Sequence, residues 1–237
     1  MISKQIKQRI LLYDLETAPN LSYTWGKWQQ DVIAFKEDWY ILSFCAKWIG
    51  EGIVCYGMNQ DKSDKRICKE LWKLINKADI VIAHNGDKFD IKKMNARFLL
   101  HGFNPPSPYQ SIDTLKIARK YFKFDSNKLD DLARQLKLGR KVKHRGFELW
   151  LRCIKGDPVA WKTMLRYNKQ DVILLEKVYL KMRGWIEHHP HMTFNNPDCP
   201  NCGMPRMQKR GFFATKKRRY QRFNCQSCGA WSKGKVL

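Results

Sequence analysis

The segment from Ile10 to Leu15 limits what this chain can fold into more than any other. Ile10, Leu11, Leu12 and Tyr13 leave no polar face, and Leu15 continues the pattern, so an extended strand here needs cover on both sides. Its charged residues come only at the end, as Asp14 and Glu16. Residues two apart in a strand point to the same side, so these two carboxylates stand next to one another. They repel unless a cation neutralises them, and open sheets hold their sites at strand ends.

The rest of the pattern says what surrounds such a strand. Residues 40–48 and 52–58 are rich in Ile, Val, Phe and Tyr and are separated by Gly50, Glu51 and Gly52, which reads as a hairpin. Ile67, Leu71, Leu74 and Ile75 give residues 63–77 a helical period, and a short buried strand follows at 79–83. A helix is expected from about Lys88 to His101, a loop at Pro105, Pro106 and Pro108, and a strand-to-helix passage at Ser111 to Leu115. Leu129, Leu132, Ala133 and Leu136 mark a helix over 128–137. Asp157 before Pro158 is a strong helix start, since Asp can cap and Pro fits the first turn. That helix should run to about His188 with a break near Asn168. Antiparallel strands followed by alternating helices and strands predict an α/β fold, a mixed sheet flanked by helices.

The 237 residues suit one catalytic domain over residues 1–192 and a small appendage over residues 193–237. The division falls at 189–197, where His189, Pro190 and His191, then Asn195, Asn196 and Pro197, interrupt the last helix. His188, His189 and His191 read as a frayed helix end rather than a metal site. No apolar run approaches the roughly 20 residues of a membrane helix, and no secretion signal opens the chain. No membrane partner is expected, and the reading is a cytoplasmic protein. Lys and Arg number 45 against 22 Asp and Glu, a formal charge of +23. Each phosphate neutralised by such a surface releases counterions, so the excess favours nucleic acid as partner. Cys45, Cys55, Cys68 and Cys153 lie in apolar or helical contexts and read as buried thiols; nothing argues for a disulfide framework.

Two further carboxylates join the first pair. Asp90 follows the strand at 79–83 and a turn at Asn85 and Gly86. Nearby, Asp87 is expected to cap the helix and Phe89 to pack into the core. Tyr167 and Asp171 are four apart and share a helix face. Hard divalent cations take oxygen ligands, and a pair of them about 3.5–4 Å apart can activate a water and steady the leaving oxygen of a phosphodiester. Asp14, Glu16, Asp90 and Asp171, from separate elements, can hold two Mg²⁺ or Mn²⁺ ions. Tyr167, with an ordinary pKa near 10, is a poor base at neutral pH and would orient the attacking water.

Asp14-Leu-Glu16, Asn85-Gly-Asp-Lys-Phe-Asp90 and Tyr167-Asn-Lys-Gln-Asp171 together resemble, in order and spacing, the three exonuclease motifs of the DEDD superfamily. The tyrosine corresponds to the DEDDy subclass, similar to the proofreading domain of family B DNA polymerases. Asp113 and Leu129 to Leu132 also look like that family's middle region, and the resemblance covers roughly residues 9–182. It implies a ribonuclease H-like fold and 3′→5′ hydrolysis releasing nucleoside monophosphates. It also implies that Asp14, Glu16, Asp90 and Asp171 bind the metals, while Asp113 reads as structural. No polymerase domain follows, so the expectation is a nuclease acting outside a polymerase chain, with single-stranded DNA favoured over RNA. Its replication or repair partners are unknown, and the fusion points to a bacterial or phage source. A structure-specific endonuclease or RNase on the same fold, and a non-catalytic nucleic-acid binder, are the alternatives.

Cys199 and Cys202, then Cys225 and Cys228, form two Cys-x-x-Cys knuckles, each followed by glycine. Four thiolates suit one tetrahedral structural zinc, and the segment resembles a zinc ribbon. Lys209, Arg210, Lys216, Lys217, Arg218, Arg219 and Arg222 lie between the knuckles, interleaved with Phe212, Phe213, Tyr220 and Phe223. The cations are expected to meet nucleic-acid phosphates; the rings could stack on bases or pack on the knuckles. Trp25, Trp28 and Trp39 could line a strand path or be core.

Overall fold

The computed structural model describes residues 8–28, 31–57, 63–193 and 198–236. Met1 to Lys7 and the expected break at Asn195, Asn196 and Pro197 lie outside them. Among the described residues no helix is long and apolar enough to cross a membrane.

The doubly buried strand, β1 (Ile10–Thr17), sits at the centre of a five-stranded sheet. β4 (Ile41–Trp48) and β5 (Ile53–Gly57) form the expected hairpin on one side of it, and β6 (Ile80–Ala83) and β7 (Gln110–Asp113) lie on the other. β1 runs antiparallel to β4 and parallel to β6, so the sheet is mixed. Alternation along β1 separates two cores. Leu11, Tyr13 and Leu15 pack with α1 (Lys65–Ile75) and α2 (Asp90–Leu100). Ile10 and Leu12 pack with α3 (Thr114–Tyr121), α4 (Leu129–Gln135) and the long α6 (Pro158–Met182). A mixed sheet flanked by helices is the expected ribonuclease H-like architecture.

Several local expectations are corrected. α6 has no break at Asn168; it is continuous over 25 residues. The Asn168 side chain is fully buried and bonds across to β1 instead of competing for its own helix backbone. Asp87 does not cap α2. Its carboxylate accepts from Ser111 Oγ and pairs with Lys116 Nζ, each at 2.5 Å, while the helix begins behind Phe89 without a side-chain cap. Phe89 is 39% exposed rather than core. Cys45 and Cys55 are not free thiols: they face each other across β4 and β5 and form a disulfide. His189 is buried, not frayed, and is hydrogen-bonded with Tyr179 Oη at 2.8 Å. Trp25 and Trp28, at 84% and 85% exposure, are not core. They follow β2 (Leu21–Tyr23), which pairs with β3 (Ala34–Glu37) in a hairpin absent from the sequence reading. Another helix, α5 (Glu148–Ile154), was also not anticipated.

A second, three-stranded antiparallel sheet contains β8 (Met207–Ala214), β9 (Arg219–Cys225) and β10 (Trp231–Val236), with β9 central. It is tied to the end of α6. Asn201 Nδ2 donates to the carbonyls of Arg183 and Ile186 at 3.1 and 3.0 Å. Gly184 lies so close to the Cys228 carbonyl that a Cβ there would collide with it.

Candidate active site

The alternation that divides the two cores also positions the carboxylates. Asp14 and Glu16 continue the face of β1 that begins with Ile10 and Leu12, beneath α6. Helix α6 starts firmly because Asp157 accepts from the amides of Val159 and Ala160 and Pro158 occupies the first turn. It brings the buried Asp171 over the end of β1. Carboxylate oxygens of Asp14, Glu16 and Asp171 all lie within 4.8 Å of one another. Asp90, 4% exposed, is outside that trio. Its Oδ1 accepts the amide of Leu15, the residue between the first two carboxylates, at 3.1 Å.

Burial makes every one of these acids hard to ionise. Burial, then the charges of Glu16, Asp171 and Asp90, holds Asp14 well above the usual carboxylate range. Burial and Asp171 push Glu16 up to about 8, and burial pushes Asp90 up to about 7 against the pull of the Leu15 amide. Asp171 is raised as well, because burial outweighs Lys141. Lys141 Nζ lies 2.5 Å from Asp171 Oδ2 and 3.2 Å from Tyr167 Oη. A single ammonium cannot balance this group. Asp171 Oδ1 is buried and accepts no hydrogen bond. An all-oxygen, multiply anionic set with an orphaned buried oxygen fits a hard divalent cation.

The sequence reading missed the residues that hold this group in place. Asn168 Nδ2 donates to Asp14 Oδ2 at 2.6 Å and to the Asp14 carbonyl at 3.1 Å, while its own Oδ1 accepts from Ser43 Oγ. One turn of α6 therefore carries both Asp171 and a clamp on Asp14. Lys141 comes from the loop between α4 and α5, which is fixed where Asp130 accepts the Lys141 amide at 2.6 Å and Gln170 donates to the Arg140 carbonyl. The basic run from Arg140 to Arg145 was the available signal, but nothing in it identified which lysine turns inward. Trp150 on α5 pulls the Glu16 pKa slightly back down, and His144 packs edge-on against Tyr167 with centroids 4.8 Å apart. Asp113 stands aside: it caps α3 through the Leu115 amide and accepts the Asn85 amide at 2.8 Å. That accounts for Asn85 in a left-handed conformation, φ 66°, at the turn before Asp90.

A different donor set occupies the C-terminal sheet. The Cys199, Cys202, Cys225 and Cys228 sulfurs lie within 4.8 Å of one another, with Cys199–Cys228 and Cys202–Cys225 separations of 3.7 Å. Tetrahedral Zn–S bonds of about 2.3 Å would place sulfurs about 3.8 Å apart. Lys209 and Arg210 lie on β8, Lys216, Lys217 and Arg218 in the following turn, and Arg219 and Arg222 on β9. All seven are exposed, and none is among the carboxylates' neighbours described above.

Residues 36–183 match the family model of the RNase H superfamily. The chain belongs to that superfamily. The matched part of this RNase H domain includes Asp90, Tyr167 and Asp171 and begins after Asp14 and Glu16. Among solved structures, the family B DNA polymerase from the hyperthermophilic archaeon Pyrobaculum calidifontis is similar over 74% of this chain, with TM-score 0.57 and 14% identity. The similarity spans a quarter of the polymerase's length, 25%, so it concerns the fold of one part of that protein. No curated protein sequence matches this chain. The RNase H superfamily fold thus rests on the family match and on the shape it shares with the polymerase.

Proposed function

We propose that this RNase H superfamily protein is a metal-dependent 3′→5′ exonuclease of the DEDDy kind, acting on single-stranded nucleic acid, with DNA ahead of RNA. The convergence of Asp14, Glu16 and Asp171 within 4.8 Å, with Asp90 fastened to the backbone between the first two, carries this reading. These four residues would hold two Mg²⁺ or Mn²⁺ ions. The ions supply charge stabilisation at the scissile phosphate and lower the pKa of water. The chain's own residues do the rest. Asn168 keeps Asp14 turned toward the group, and Tyr167 orients the attacking water. Burial raises the Tyr167 phenol, as does Asp171, so at neutral pH the group donates a hydrogen bond rather than removing a proton. Residues 1–192 are the catalytic module. Residues 193–237 are a zinc ribbon whose four thiolates close one structural site and whose cations assist substrate binding.

Substitution Asp14→Ala or Asp171→Ala should abolish hydrolysis of 5′-labelled single-stranded DNA while leaving binding nearly intact. Normal digestion by either variant would overturn the assignment. A covalently closed circular strand separates the exonuclease from an endonuclease on the same fold, because only the latter can cut it.

A further inference from the structure

The sheet of the C-terminal module carries aromatic rings on both faces. Along β9, Tyr220, Arg222 and Asn224 alternate with Gln221, Phe223 and Cys225, so the first three share one side. Register adds their partners: Phe213 opposite Tyr220, Lys233 opposite Arg222, and Trp231 opposite Asn224. One face therefore carries a ring from each strand with two cations between them. On the other face Phe223 is packed against Gly234, where a Cβ would stand 2.6 Å from the ring. Phe223 is half-buried there and Phe212, opposite Gln221 on the same side, is 46% exposed; on the first face Trp231 is 54% and Phe213 37% exposed and Tyr220 is half-buried.

The rings of the first face and the cations form one array. Lys233 Nζ lies 3.9 Å from the Phe213 ring centroid and the Arg222 guanidinium 4.7 Å from that of Trp231, while Phe213 and Tyr220 rings are 6.4 Å apart. The Tyr220 and Trp231 stations are four residues apart along β9, about 13 Å, with the cations midway. From residue 193 on, the sequence has ten Lys and Arg and a single acidic residue, Asp198. These cations thus have almost no carboxylate of their own module to neutralise them. Alternating rings and positive charges complement a polyanion whose bases offer free π-faces. Bases paired in a duplex offer none along the strand.

We propose that Phe213, Tyr220 and Trp231, with Arg222 and Lys233 between them, are a stacking platform for single-stranded nucleic acid, separate from the carboxylate site. The proposal deepens the nuclease reading and rests on it for the identity of the polymer. The module is fastened at the end of α6, eleven residues or about 16 Å beyond Asp171 along the helix. A platform there grips the strand away from the reacting end. It raises the number of residues removed per encounter without touching the scissile phosphate.

The test uses the full chain, with Trp231→Ala and Phe213→Ala singly and together, and Arg222→Gln and Lys233→Gln. Binding to a labelled oligothymidylate and to a blunt duplex is followed by fluorescence anisotropy across a salt series, without added Mg²⁺ or Mn²⁺. Each ring exchange should weaken oligothymidylate binding roughly five-fold or more, leave the salt dependence unchanged and spare duplex binding. Each charge exchange should instead reduce the salt slope by about 0.7. Trp231→Phe, which keeps a ring, should retain most of the affinity and controls for loss of fold. Ring variants that bind oligothymidylate like the parent, or that lose single strand and duplex equally, would overturn the platform. Ring-dependent binding by a parent chain that hydrolyses nothing would leave the platform standing and sink the nuclease reading alone.

Discussion

At the scale of single residues, the carboxylate group makes stability depend on pH in an unusual direction. Ordinary carboxylates titrate near 4, whereas here burial and the Asp171 charge raise Glu16 to about 8, and burial raises Asp90 to about 7. The folded state thus holds protons that the unfolded chain has already released. This contribution to stability is complete below pH 4 and is lost as pH rises through 7 and 8. The melting temperature of divalent-free protein should fall between pH 5 and pH 8, and Glu16→Gln should reduce the fall. Added Mg²⁺ should raise the melting temperature at pH 8 far more than at pH 5. Asp64 behaves in the opposite way. Despite its burial, hydrogen bonds from Arg97, the Ile41 amide and His101 hold it below the usual range. Its stabilisation is present above pH 4 and disappears as acid protonates it. Removing it leaves Arg97 without its buried partner, so Asp64→Ala should cost about 3–5 kcal/mol in urea unfolding at pH 7.

At the scale of elements, α6 does two jobs from adjacent positions, since Asn168 clamps Asp14 and Asp171 completes the trio. Asn168→Ala should keep the helix, which Ala favours, but lower hydrolysis about 10- to 100-fold and raise the Mg²⁺ concentration for half-activity. A helix break at Asn168 was a reasonable expectation, because Asn competes with its own backbone in a helix; burial against β1 gives its amide a better partner. The main strands and helices were legible for a related reason. The apolar runs at Ile10–Leu15 and Ile80–Ala83 and the capped start at Asp157 carry their periods and stops in local sequence. Elements β2, β3 and α5 were not legible, since their residues are largely exposed or packed by distant partners. The Cys45–Cys55 disulfide depended on strand register, which spacing alone does not give.

At the scale of the whole molecule, the sequence brought the carboxylates to notice through three separated motifs, but Lys141 escaped it. Its role depends on a loop fixed by Asp130 and Gln170, contacts made only after α4 and α6 have packed. The attachment of the C-terminal module was equally hidden. It rests on Asn201 and on the missing side chain of Gly184. Gly184→Ala should displace the Cys228 knuckle from α6. It should make residues 193–237 the first part removed in limited proteolysis, with hydrolysis of short strands largely retained. The most direct test of the account follows 5′-labelled single-stranded DNA with Mn²⁺ or Mg²⁺ for the parent chain and for Asp171→Ala. A ladder shortening from the 3′ end, dependent on the divalent ion and absent in the variant, is predicted. An identical ladder from both proteins, or cleavage that persists with no divalent ion bound, would contradict it.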